Sequence, residues 1–100
     1  MIRHIVMLKL REFDTPEDKI KGAELVCAKL MALKEIIPFI KEFETGINIT
    51  KDDSAFDLVI NATFNSTEDL KAYQAHHDHQ EFMQFNKNYS IKKAVVDYKY

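Results

Sequence analysis

The chain has few of the residues that break or tether a polypeptide. Its one cysteine, Cys27, excludes an intrachain disulfide and fits a reducing compartment. Two glycines and two prolines leave little room for linkers or low-complexity tracts. No internal repeat is visible. No basic block interrupts the mixture of Lys and Glu. The formal net charge of -2 gives no general drive toward nucleic acid or an anionic membrane. No apolar run is long either. The stretch from Met1 to Lys9 is too short and too interrupted for a signal peptide or a membrane span. The expectation is a cytoplasmic protein with neither nucleic acid nor membrane as partner.

What remains is ordinary globular material, 46% hydrophobic and 30% charged over 100 residues. That length implies one domain, residues 1–100. A domain this small buries a modest fraction of its surface and gains from association.

Residues 2–10 alternate as a strand. Ile2, His4, Val6, Leu8 and Leu10 form one face, and Arg3, Ile5, Met7 and Lys9 form the other. The second face is half apolar, so both faces are expected to be covered. Thr15-Pro16-Glu17-Asp18 starts a helix, with a capping threonine, a proline suited to the first turn and acids at the positive end of the dipole. Ile20, Ala23, Cys27, Leu30 and Met31 give its expected buried stripe. Pro38 stops it, because the residue before a proline avoids helical geometry.

Residues 43–50 and 56–64 read as a hairpin across the polar turn Lys51-Asp52-Asp53-Ser54. Ser66-Thr67-Glu68-Asp69 starts a second helix. Phe82, Met83 and Phe85 indicate a further short helical piece. Residues 94–100 complete the set as a strand. The order β-α-β-β-α-β specifies a ferredoxin-like α+β sandwich, with helices on one face of a four-stranded antiparallel sheet. The other sheet face is expected to present Ile5, Met7, Val59 and Val95 among Arg3, Lys9, Asn61, Thr63 and Asp97. A second copy packing there would form a two-fold homodimer through the sheet face.

The chemistry concentrates in Tyr73-Gln74-Ala75-His76-His77-Asp78-His79, which holds three of the four histidines. Such a cluster can bind a metal, move protons, or tie a helix end to a sheet. Neighbouring residues on a helix point in different directions, and His76 and His79 alone align only two ligands. No metal site and no cofactor are expected. Tyr73 and His79 admit two readings. One is a phenol donor and an imidazole base converging on a carbonyl ligand. The other is a buried pair whose polar atoms are satisfied by the protein. His4 interrupts an apolar face, which calls for a specific partner there. Asp97 reads as an ion-pair partner of Arg3 or Lys9, and Cys27 as a small core residue.

Arg3-His4-Ile5-Val6-Met7-Leu8-Lys9, Ile37-Pro38, Gly46-Ile47-Asn48, Phe56-Asp57-Leu58-Val59, Phe64, the Tyr-x-x-His-x-x-His segment and Val95-Val96-Asp97-Tyr98 resemble the stress-responsive dimeric α/β-barrel (Dabb) family. The resemblance covers nearly the whole chain. It implies a dimer whose two sheets form a central barrel. Its best-understood branch is the plant polyketide cyclases of the olivetolic acid type, which close a linear polyketide acid by aldol condensation. The tyrosine and histidine that serve there as the acid–base pair fall on Tyr73 and His79, and a pocket histidine falls on His4. The chain departs from that branch at His77, where proline is common, and at Leu58, where a further pocket histidine stands. Loss of that polar group points to a different substrate.

Two functions follow as expectations. One is a small stress-associated dimer holding an apolar or phenolic ligand between helices and sheet. The other is a cofactor-free cyclase or isomerase using Tyr73 and His79. Val6, Leu8, Leu58, Ile60 and Ala62 would form the apolar wall in both, with His4 and His76 beside them.

Overall fold

Strict alternation over nine residues makes Ile2–Leu10 the first strand, β1, and its even positions are buried throughout. The computed structural model describes residues 1–100. It continues with α1 (Pro16–Ile36), β2 (Glu42–Ile47), β3 (Leu58–Phe64), α2 (Thr67–Ala75), α3 (His77–Asn86) and β4 (Ser90–Lys99). The four strands form one antiparallel sheet in the order β2-β3-β1-β4. The fold is ferredoxin-like α+β, with the second helical segment divided in two.

Each helix begins where its capping chemistry dictates. Thr15 accepts a hydrogen bond from the Asp18 amide at 3.1 Å, and Ser66 accepts one from the Asp69 amide at 3.1 Å. At the end of α1, Ile37 takes up extended geometry ahead of Pro38. Its buried side chain then joins the core with Ile40.

The core lies between the helices and the even-numbered face of β1. Val6, Leu8 and Leu10 meet Leu58, Ile60, Ala62 and Phe64 from β3 and Val26, Leu30 and Leu33 from α1. The α1 stripe is rotated from the expected one. Gly22, Ala23, Val26, Leu30 and Leu33 are buried, whereas Ile20 and Met31 are exposed and Cys27 is partly covered. Apolar residues surround most of this helix, so periodicity leaves its phase open by about one position.

The register of β4 requires a second correction. His4 pairs with Asp97, Val6 with Val95, and Leu8 with Lys93. Residues directly opposite in an antiparallel pair share a face. Asp97 and Val95 therefore lie on the helix side, not the outer side. Ala94, Val96 and Tyr98 take the outer face with Arg3, Ile5 and Met7. The strand also starts earlier than expected, at Ser90, with a register shift between Lys9 and Leu10 of its partner.

Asp57 fastens the opposite end of β1. Its amide donates to the Leu8 carbonyl at 2.8 Å, and its Oδ2 accepts from the Leu10 amide at 2.6 Å. Its other oxygen lies 3.6 Å from Lys19 Nζ, joining this strand end to α1.

Candidate functional site

Polar side chains from three elements meet under the sheet. β1 contributes His4, α2 ends shortly after Tyr73, and α3 opens with His79 in its first turn. The break between α2 and α3 places the last two together. His76 has extended geometry there and cannot continue the helix. Its Nδ1 accepts from the Asp78 amide at 3.1 Å, so the imidazole caps α3. The new helix axis then turns His79 toward Tyr73, with 4.5 Å between ring centres.

Tyr73 is 1% exposed and sits in an aromatic nest. Phe64 lies 5.2 Å from it, His4 6.2 Å and Phe43 6.4 Å, centre to centre. Burial pushes its phenol far above the ordinary value, and no hydrogen bond offsets that. The group therefore stays protonated and is available as a donor.

His79 is held by its other nitrogen. Nδ1 lies 3.1 Å from the Gln74 carbonyl oxygen, which can only accept. The proton is therefore on Nδ1, and Nε2 keeps its lone pair. Burial lowers the pKa of this imidazole, against the raising effect of the Gln74 carbonyl. The Lys93 charge lowers it further, as do His4 and His76 when they are protonated. A neutral imidazole with a free Nε2 can act as a base.

His4 is 5% exposed, and its Nδ1 lies 2.5 Å from Asp97 Oδ1. The carboxylate can only accept, so Nδ1 carries a proton. Asp97 holds the His4 ring from the helix side of β4, where the ladder pairs the two residues, and not an Arg3 or Lys9 side chain on the outer face.

A cavity of about 90 Å³ joins these groups. His4, Val6, Leu8, Ile60, Tyr73 and His79 line it. Leu58, Ala62 and His76 do not. Leu58 and Ala62 are packed into the core at 2% and 0% exposure. His76 is occupied with the α3 cap and lies 6.4 Å from the Phe39 ring. The remaining wall comes from Leu30 of α1, Gln74 of α2, Phe82, Met83 and Asn86 of α3, and Lys93 and Val95 of β4. Period-three and period-four spacing from His79 to Phe82, Met83 and Asn86 is the signal that would have found the α3 wall. The β4 wall needed the register. No three of the chain's His, Cys, Asp and Glu side chains gather where a single metal ion would meet them. His77 points away and pairs with Glu81 at 2.9 Å on the exposed side of α3.

A ferredoxin-like α+β domain with a small polar-lined cavity between helices and sheet defines the class. The chain belongs to the stress-responsive A/B barrel domain (Dabb) family, whose sequence model matches residues 2–100. Among solved structures, a dimeric protein of unknown function and ferredoxin-like fold from Bacteroides fragilis is 25% identical, with a TM-score of 0.85 over 99% of this chain and 95% of that one. An Arabidopsis thaliana protein is 24% identical, with a TM-score of 0.82 over 100% and 95%. A hydroxynitrile lyase from Passiflora edulis is 22% identical, with a TM-score of 0.80 over 97% and 90%. At these last identities the likeness is one of fold. No curated protein sequence matches the chain. No helix is long and apolar enough to cross a membrane.

Proposed function

We propose that this protein binds a small carbonyl compound in the cavity and moves a proton on it without a cofactor, as an isomerase or cyclase does. The observation that carries this reading is the pairing of Tyr73 and His79 on one cavity wall, 4.5 Å between ring centres. One is a protonated phenol with no protein partner. The other is a neutral imidazole with its basic nitrogen free. Removing a proton beside a carbonyl needs a base at the carbon and a donor at the oxygen where charge develops. His79 Nε2 takes the proton, and the Tyr73 hydroxyl donates to the enolate oxygen. Return of the proton to another atom isomerises the substrate, and attack of the enolate carbon on a second carbonyl closes a ring. His4, held by Asp97, completes the polar side of the site.

The same reading includes a two-fold homodimer through the outer sheet face. Met7, Val96 and Tyr98 are exposed there, at 39%, 57% and 41%. Arg3 Nε is buried beside them without a hydrogen-bond partner. Three of the similar solved proteins, from Bacteroides fragilis, Thermobifida fusca and Jannaschia, are described as dimeric.

The test is a thermal-shift screen of small aliphatic ketones and oxo acids against wild type and His79→Phe, followed by exchange of α-protons into heavy water observed by NMR. Wild type is expected to accelerate exchange of a bound ketone, and His79→Phe to lose that by about two to four orders of magnitude while remaining folded. Binding with no acceleration in wild type would leave a ligand-holding protein. A grossly destabilised His79→Phe that binds nothing would make His79 structural.

A further inference from the structure

The cavity has one feature that proton transfer at a carbonyl does not require. Lys93 lines it from β4, directly across the ladder from Leu8. The residue is exposed while lining the cavity, so its ammonium stands at the mouth and not in the floor. It makes no ion pair; the four in the chain involve other residues. No aspartate or glutamate lines the cavity. Asp97, two positions along the same face of β4, is engaged by His4 at 2.5 Å. The Lys93 charge is felt inside, as one of those acting on His79. On the same lining, the buried Asn86 uses Oδ1 to accept from Ser90 Oγ at 2.6 Å, which leaves its NH2 group to donate. The cavity thus offers a cation at its mouth and an amide donor on its buried wall, with no aspartate or glutamate on the lining.

The interior is small, with apolar side chains beside the His4, Tyr73 and His79 groups. About 90 Å³ is less than the roughly 150 Å³ that holds benzene in an engineered cavity. An extended chain of several ketide units does not fit, whereas a compact molecule with its charged end at the mouth does.

We propose that the cavity takes a small oxo acid, with its carboxylate on Lys93 and Asn86 and its carbonyl on Tyr73. This rests on the proton-transfer reading above and names its substrate class. With the carboxylate fixed at the mouth, the carbon beside the carbonyl faces His79 Nε2. The C–H bond breaks, its electron pair forms the enolate and its proton goes to Nε2. Returning that proton to oxygen gives the enol, and returning it to carbon regenerates the acid. No oxidant, reductant or second reactant enters. The neutral relative of such an acid has the same shape and the same acidic C–H but nothing for Lys93 to hold, so Lys93 sets specificity and does not take part in bond breaking.

The experiment compares 2-oxobutanoate with 2-oxobutanamide, each titrated into wild type, Lys93→Met and His79→Phe and followed by amide NMR shifts and by exchange of the C3 protons into heavy water. Wild type is expected to bind the acid about tenfold more tightly than the amide, as a charge-assisted hydrogen bond provides. Lys93→Met should reduce acid binding to the level of the amide and leave amide binding unchanged. Lys93 is exposed on an edge strand, so the variant should keep the wild-type melting temperature, and Lys93→Glu, equally exposed, should reject the acid further. Equal affinity for acid and amide in wild type, equal loss of both in Lys93→Met, or no binding of either would overturn the proposal. The two readings fail separately. Lys93-dependent binding without His79-dependent exchange keeps the anion site and removes the proton transfer. Exchange of a neutral ketone that Lys93→Met leaves intact, with no preference for the acid, does the reverse.

Discussion

Burial has opposite consequences for the two central side chains, and both suit acid–base work. It raises the phenol of Tyr73, which keeps the donor protonated, and it lowers the imidazole of His79, which keeps the base neutral. The second shift makes a prediction about pH. The folded pKa of His79 lies below the unfolded value of about 6.5. Between the two, the unfolded chain binds more protons than the folded one, so stability rises with pH in that interval. The contribution is complete above about pH 6.5 and is lost as pH falls through the lower folded value. Urea midpoints measured downward from neutrality should fall more steeply for wild type than for His79→Phe; identical profiles would remove His79 from the balance. At this scale the sequence was legible where the chemistry is local. Tyr73, His79 and His4 stand out as polar residues in apolar or helical patterns, and they do share a cavity. The partner of His4 was not legible, because it comes from position 97 and only the ladder brings it near.

Elements were read well where a stop or start signal is strong and poorly where apolar residues occupy both faces. Thr15, Pro38 and Ser66 gave helix ends that the structure places within a residue or so. The phase of α1 and the facing of β4 were missed. Ala94, Val95, Val96 and Tyr98 are all acceptable on either side of a sheet, so alternation cannot assign them. The break at His76 is the element-level feature that matters most for the site, since an unbroken helix would carry His79 past Tyr73. Asp57 gives a test at this scale. It accepts from the amide of Leu10, a residue with no exposure, at the position where β4 shifts register. Asp57→Ala leaves that amide without its partner and removes the Lys19 contact. The expected loss is about 1–3 kcal/mol in chemical denaturation, with ligand affinity unchanged because Asp57 is outside the cavity. A change below a few tenths would show that water replaces the carboxylate without cost.

For the whole molecule, the helices cover one sheet face and leave the other open. Ile5, Met7, Val59 and Val96 on that face are what a second sheet would cover, with Arg3, Lys9 and the β2 glutamates around them. Sedimentation at micromolar concentration should give a dimer for wild type and a monomer for Val96→Asp. A monomeric wild type would remove the dimer from the proposed function. The general fold was the most legible level of all, since the order of elements already restricts the chain to a few topologies. The strand order also governs when the site comes into being. Its two outermost contributors in the chain, His4 and Asp97, are 93 residues apart and are joined only when β4 docks along β1. During synthesis, residues 93–97 emerge after every other residue that lines the site, so a nascent chain can complete β1, the three helices and the β2–β3 hairpin while the cavity still lacks a wall. Closure of that wall is the longest-range event in the fold and one of its slower steps, and until it occurs the aromatic nest around Tyr73 is open to solvent and to other chains.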